Sequence, residues 1–426
     1  MEKLINFLNK SITMYHAVES IEKELVEKGF VLLKESDTWE IKENSSYYIK
    51  KDQTSIIAFK TGKHVGKSDR FNIVATHTDS PTFKIKPNGI INGPFQVLNT
   101  EMYGGAVLSS WFDRPLGIAG RVIIKDGDNY VSKLVASKED LLVIPNTCPH
   151  LNPEINNGFK YNLQSDLLPL FSGEERFDSV YQYLDKDANI VSSDLFLYNP
   201  AKATLVGANS EFILAPRIDN LECTAAALYS FLSAENNDAI NVVACFNNEE
   251  IGSSTKQGAA SNFLKDTLKR IMYSLNKTEV DYLKALNDSV IVSADNAHSV
   301  HPNHPELSDP TNKVYMNKGI VIKRNSNERY TTDAVSEAVM INACDKAGVP
   351  YQYYTNRSNQ RGGGTLGAIS SGKVSITTLD IGLAQLAMHS STETAGVKDY
   401  EYMEKALKAF YESNYYRLSD TEFKIK

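Results

Sequence analysis

At 426 residues the chain is longer than one hydrophobic core usually serves, so two domains, or one domain with a large insertion, are expected. Hydrophobic residues make up 42% and charged residues 23%, and no apolar run approaches the roughly 20 residues of a bilayer-spanning helix, which excludes a helical membrane protein. A formal charge of -7 without a basic block argues against a nucleic-acid partner.

Residues 2–29 mix charge with apolar residues at helical spacing and predict one amphipathic helix; they lack the continuous apolar core of a signal peptide, so a cytoplasmic protein is expected. Cys148, Cys223, Cys245 and Cys344 are far apart with no CxxC, which fits free thiols in a reducing compartment. "TSIIAFK" and "FNIVATHTDS" read as strands. From about 90 to 210 the pattern turns to short strands, many turns and the loop "IPNTCPHLNPEINNG", a β-rich insertion assigned to 91–209. After 205 the runs "INVVACFN", "SVIVSAD", "GIVIKRN" and "VSITTLDI" alternate with "LECTAAALYSFLSAEN", "TDAVSEAVMINACDKAG" and "YEYMEKALKAFYESNYY". Strands apolar on both faces that alternate with helices predict an α/β domain, 1–90 and 210–426, with a mostly parallel sheet covered by helices.

Ligands of an open α/β sheet sit beyond the carboxyl ends of its strands, so polar residues directly after apolar runs are the ones to collect. There are five such places: His77 and Asp79 after "NIVAT", Asp219 after "EFILAPRI", Glu249 and Glu250 after "NVVACFNN", Asp295 after "VIVSA", and His389 after "GLAQLAM". One His or Asp at a strand end is most often a cap or turn residue. Five strand ends carrying only His, Asp and Glu need a cation, because clustered carboxylates repel in a low-dielectric cleft. Arg217 offers one charge against five carboxylates. Two imidazoles mixed with carboxylates suit Zn²⁺, Co²⁺ or Mn²⁺ rather than Ca²⁺ or Mg²⁺.

With two ions, each takes one His and one terminal carboxylate and a third carboxylate bridges; such a pair lowers the pKa of a shared water and polarises a carbonyl. One carboxylate then stays free as general base. Adjacent residues of a strand point to opposite faces, so Glu249 and Glu250 share a site only where the strand gives way to a loop, one ligating and the other taking the proton. Asp79, two residues after His77, is placed to orient the distal nitrogen of that ring.

The ordered segments "THTDSP", "PRIDN", "NNEEIGS", "SADNAHSVHPN" and "AMHS" resemble the aspartyl aminopeptidase family, di-zinc exopeptidases of the zinc exopeptidase fold type, over essentially the whole chain from "YHAV" at 15–18 onward. The resemblance implies His77, Asp219, Glu250, Asp295 and His389 as ligands of two Zn²⁺ per subunit. Asp219 bridges, His77 and Asp295 hold one ion, and Glu250 and His389 hold the other. It implies Glu249 as the base, Asp79 as the support of His77, and His150 as a histidine lent to a neighbouring subunit. Lys323 and Tyr330 would lie by the substrate side chain. The insertion would be a dimerisation domain, dimers would build a tetrahedral dodecamer, and enclosure would select short peptides. "NRSNQRGGGTLG" at 356–367 departs from the Thr-Pro-Cys-Gly type loop of acidic-specific members and resembles a less acidic-specific bacterial branch, so acidic or neutral N-terminal residues both remain open.

Other motifs carry less. The triplet Gly362 to Gly364 lacks a P-loop lysine, and "GKHVGKS" at 62–68 misses the Walker spacing and leads into a strand. His298, His301 and His304 read as loop hydrogen-bonders, with His298 or His301 able to line a pocket; His16 and His64 have no constellation around them. No G-x-S-x-G elbow points to a serine hydrolase. A related deacylase or carboxypeptidase, and a non-catalytic peptide-binding protein, are the competing readings.

Overall fold

The computed structural model describes residues 1–64, 69–138, 140–360 and 362–426. Nine strands form the main sheet, in the spatial order Val31–Leu32, Ser46–Lys51, Ser55–Lys60, Ile240–Phe246, Phe71–His77, Val290–Ala294, Thr377–Gly382, Ile320–Lys323 and Tyr351–Tyr354. The middle of the sheet, from Ile240–Phe246 to Thr377–Gly382, is parallel, and antiparallel pairs flank it. The β-branched runs behave as expected of strands buried on both faces. Val74, Val243 and Val292 pack on one side with helices Glu2–Lys10, Met14–Glu27, Ile218–Ser233, Ala334–Ala347 and Val397–Tyr411. Ile73, Val242 and Ile291, one residue out of step, pack on the other with Phe263–Ser274, Glu279–Asn287 and Leu366–Val374.

The single helix expected over 2–29 is two helices, Glu2–Lys10 and Met14–Glu27. Thr13 between them is extended at the start of the second, and its hydroxyl meets His16 Nδ1 at 2.8 Å. A hydroxyl residue that bonds locally competes with continued helix. The carbonyls freed by the break are used: Arg217 donates to Ser11 O at 3.0 Å and to Leu8 O.

A second sheet of six antiparallel strands runs from Thr82–Asn92 to Ile190–Tyr198 in sequence and has its own core around Phe83, Leu98, Trp111, Ile118 and Leu195. Its strands start and finish earlier than the 91–209 range. The first strand carries Pro87 and Gly89, and its pairing shifts between Ile85 and Ile90, which hides it as a regular alternation. Thr204–Val206 and Phe212–Ala215 instead join Glu393–Gly396, Ala384–Leu386 and Ala297–His298 in a five-stranded sheet. Among the described residues no helix is long and apolar enough to cross a membrane. Val65 to Ser68 of the "GKHVGKS" stretch, and Arg361 of the 356–367 loop, lie outside the described residues.

Candidate metal centre

Three parallel strands deliver the first half of the site. Phe246 lies opposite His77, and Ser293 opposite Ala75, so the carboxyl ends of these strands open at one edge. His77, the 249–250 pair and Asp295 emerge there. After Phe246 the chain forms a short 3-10 turn, Glu249–Ile251. Consecutive side chains are no longer sent to opposite faces, and both glutamates line one cavity.

Asp219 and His389 arrive from the five-stranded sheet. Asp219 opens the helix Ile218–Ser233 with non-helical torsions, and His389 sits on a turn after Ala384–Leu386 with φ of 67°. Polar strand ends therefore converge across two sheets rather than one.

Of the three metal-capable groups found among the described residues, two share Asp219, and the third joins His77 to Glu249 and Glu250. His77 Nε2 lies 3.5 Å from Asp219 Oδ1 and 3.5 Å from Asp295 Oδ1. His389 Nε2 lies 3.5 Å from Asp219 Oδ2 and 3.4 Å from Glu250 Oε2. A tetrahedral ion with bonds of about 2.1 Å spaces its ligand atoms about 3.4 Å apart, so both triplets match one ion each. Asp219 Oδ1 and Glu250 Oε1 are buried without a hydrogen-bond donor, and a cation would satisfy both. The nitrogen and oxygen donor set fits Zn²⁺.

Electrostatics point the same way. Burial, and then the nearby carboxylates Asp295, Asp79 and Asp219, push Glu249 up to about 8, despite the opposing pull of His77. Burial and Asp219 hold Glu250 well above the carboxylate range. Burial pulls the His77 imidazolium down, but contacts to Asp219, Asp295 and Asp79 outweigh it and leave His77 well above its ordinary value. His389 is raised to about 8 against its own burial, chiefly by Asp219. The cluster thus gathers protons wherever no other cation serves it, and two dications would replace them. Arg217 does not serve it, because its guanidinium is spent on backbone carbonyls of Leu8, Ser11 and Asn199.

Supporting groups hold the ligands. His77 Nδ1 bonds the Asp79 backbone carbonyl at 3.1 Å, with the Asp79 carboxylate at 3.5 Å. The expected orienting carboxylate is therefore mainly occupied elsewhere. Asp79 Oδ1 accepts from Glu249 N and Oδ2 from Glu250 N, each at 3.2 Å, and Tyr103 Oη donates to Oδ2 at 2.7 Å. One buried carboxylate ties the His77 segment to the glutamate turn.

The sequence reading missed three groups. Tyr103 comes from the inserted sheet, where no local pattern marks it; beside it, Gly105 O meets His389 Nδ1 at 3.1 Å. Glu393, four residues after His389, accepts from Asp219 N at 3.0 Å and His389 N at 2.7 Å, joining Asp219 to His389. A carboxylate among small residues just behind a ligand was its only signal. Asp380 accepts from Thr331 N and from the hydroxyls of Thr331 and Thr365, and so fastens two loops that wall the cavity.

The cavity, of about 320 Å³, is lined by the four carboxylates Asp219, Glu249, Glu250 and Asp295, with His298, Lys323 and Tyr330. Lys323 is buried, donates to Asn296 O at 2.7 Å and stands 3.9 Å from Asp295 Oδ2 and 5.4 Å from the Tyr330 ring. Gly363 and Gly364 also line it, as a wall rather than a phosphate cradle. His150 lies on an exposed turn and is not among the residues that line this cavity. His301 and His304 stack loosely on each other and belong to none of the metal-capable groups found among the described residues.

Comparison with known proteins places the chain in a family. The family described as "Aminopeptidase I zinc metalloprotease (M18)" matches residues 7–411. A "Probable M18 family aminopeptidase 2" of Clostridium acetobutylicum is 43% identical over 423 residues, covering 96% of this chain and 98% of that protein. An aspartyl aminopeptidase of Dictyostelium discoideum is 34% identical over 466 residues, covering 96% of both. The solved structure of the S. cerevesiae mApe1 dodecamer superposes with a TM-score of 0.83 at 27% identity, over 96% of this chain and 95% of that one. The chain belongs to the M18 family of zinc metalloproteases and is an aminopeptidase, a hydrolase of peptide bonds.

Proposed function

We propose that this aminopeptidase removes an acidic or neutral N-terminal residue from short peptides at a two-metal centre, with Glu249 as general base. The observation that carries the reading is the pair of three-ligand groups joined through Asp219, which together use His77, Asp295, Glu250 and His389 and leave Glu249, a member only of a third group with His77 and Glu250, beside them. Two Zn²⁺ held by His77, Asp295, Asp219, Glu250 and His389 would supply the Lewis acidity that activates a water and polarises the scissile carbonyl. Glu249 takes the proton of the attacking water and passes it to the leaving amine. Asp79 sets where Glu249 stands by accepting its backbone N–H. Asp219 and Glu393 keep the two halves of the ligand set in register.

Lys323 and Tyr330, at the wall of the same cavity, meet the side chain of the residue being removed. An Asp or Glu there would gain an ion pair with Lys323, whose amine already serves Asn296 O. Two further readings rest on similarity: the inserted sheet forms a dimer interface, and dimers build a tetrahedral dodecamer like the mApe1 assembly in its number of subunits. The exposed position of His150 suits a residue that reaches a neighbouring subunit. A cytoplasmic location completes the proposal.

The test is turnover of aminoacyl-nitroanilides over all N-terminal residues, with and without a chelator, in the wild type and Glu249→Gln. The variant is expected to lose about 10²- to 10⁴-fold in kcat while keeping its zinc. Unchanged turnover removes Glu249 from this role, and release that survives complete metal removal refutes the mechanism. N-acetylated substrates must resist; their cleavage would favour a deacylase.

A further inference from the structure

A second chamber, of about 280 Å³, adjoins the metal-capable cavity. His298 and Tyr354 border both, and the segment Gln385 to Ala387 in its wall runs straight into Met388 and His389 of the first. The two are rooms on either side of one partition. Their chemistry differs.

Four carboxylates line the first room, whereas the acid in the wall of the second, Asp309, is turned onto its own loop. Asp309 Oδ1 accepts from Thr311 N at 3.0 Å, Asn312 N at 2.8 Å, Asn312 Nδ2 at 2.9 Å and Thr311 Oγ1 at 3.1 Å. Those bonds hold its carboxyl down at about 2, so it stays an anion, with Oδ1 engaged by its own loop. Arg357 supplies a permanent positive charge to the same wall. Its Nη1 donates to Glu306 O at 2.5 Å, which anchors the side chain and leaves the other guanidinium donors for a ligand.

We propose that this chamber receives the leaving side of the peptide and that Arg357 binds its C-terminal carboxylate. The inference rests on the aminopeptidase reading, since it needs the scissile bond to lie at the carboxylate-rich cavity. A short peptide with free ends carries an ammonium and a carboxylate; the first room presents carboxylates to the one, and in the adjoining room the Arg357 guanidinium is a partner for the other, with the Asp309 Oδ1 already held by its own loop. A planar guanidinium matches a carboxylate as a two-point fork. The volume falls just under the roughly 300 Å³ of the smallest ordinary ligand sites, which suits one or two residues rather than a long chain. The enzyme would therefore select dipeptides and tripeptides by their far end as well as by their first residue.

The experiment compares three substrates with the same N-terminal residue: a dipeptide or tripeptide acid, its C-terminal amide, and an amide bearing Glu on the leaving side. They are assayed on the full-length, zinc-loaded wild type, Arg357→Ala and Arg357→Lys. An aminoacyl-nitroanilide, which has no leaving-side carboxylate, checks in each protein that the hydrolytic reaction is present. The wild type should prefer the free acid to the amide by about tenfold or more in kcat/KM, through KM. Arg357→Ala should bring that ratio near one, and Arg357→Lys should keep part of it. Because the ratio is taken within one protein, loss of folded material cancels. Equal rates on acid and amide in the wild type overturn the proposal, as does an acid preference that survives in Arg357→Ala. If only the Glu-bearing amide is favoured, the chamber reads a side chain and the terminal assignment falls. If no substrate with a free amine is cleaved, the aminopeptidase reading itself has failed, a different result from an unselective peptidase.

Discussion

Glu393→Gln isolates what the support of the candidate metal ligands contributes. In the wild type both carboxylate oxygens accept backbone N–H groups, Oε2 from Asp219 and Oε1 from His389, and Glu393 is 1% exposed. A glutamine has one acceptor oxygen, so its NH₂ must face one of those two donors. A buried donor without a partner costs about 1–3 kcal/mol. Burial, reinforced by Asp219, pushes Glu393 up to about 8, and two dications beside Asp219 would favour its ionised form. The penalty should then fall mainly on the metal-loaded state, weakening zinc binding by about 5- to 150-fold. Competition against a chromophoric chelator would measure this, with thermal unfolding recorded for both metal-free and zinc-loaded protein. Wild-type zinc affinity, with an equal loss of stability in both forms, would show Glu393 to be a fold residue only and refute the reasoning.

Tyr103→Phe removes the hydroxyl that joins Asp79 Oδ2 to Asn248 Nδ2 at 2.7 and 2.8 Å, and leaves the Asn248 amide short of an acceptor. At saturating zinc it should lower kcat/KM by roughly 5- to 30-fold, equivalent to about 1–2 kcal/mol; a full rate would confine Tyr103 to holding the inserted sheet. Glu222, fully buried with Oε1 unpartnered and Oε2 accepting from Asn296, is pushed by burial up to about 8. Its folded pKa is raised, so the stability it contributes is whole below its unfolded value of about 4.5 and is lost as pH rises through about 8. Thermal midpoints of the wild type should accordingly drop more between pH 5 and 9 than those of Glu222→Gln, and parallel curves would count against the assignment.

The candidate ligands were legible because they obey a local rule. Each of His77, Glu249, Glu250, Asp295, Asp219 and His389 follows an apolar run within a few residues, and such runs end where chains leave a sheet. The role of Asp79 was legible only in part: its position two residues after His77 suggested a ring partner, whereas three donors from Tyr103 and the glutamate turn claim its carboxylate. The start of the inserted sheet at Thr82 was obscured by Pro87 and Gly89, and the break at Ser11 to Thr13 by helical spacing that continues across it.

What the sequence by itself determined was the α/β alternation, the six ligand and base candidates, and the need for a cation among them. Strand burial and charge repulsion are both properties of short segments, so a linear reading reaches them. The tertiary structure alone decided that Asp219 stands between two triplets whose histidine-to-carboxylate edges are 3.4 to 3.5 Å, and that Glu393 and Tyr103, from other strands, hold them. It alone placed a chamber holding the Arg357 guanidinium beside the carboxylate-lined one. Ligand spacing and cavity adjacency depend on how sheets pack, and residues brought together from different strands and sheets share no local pattern that would announce their meeting.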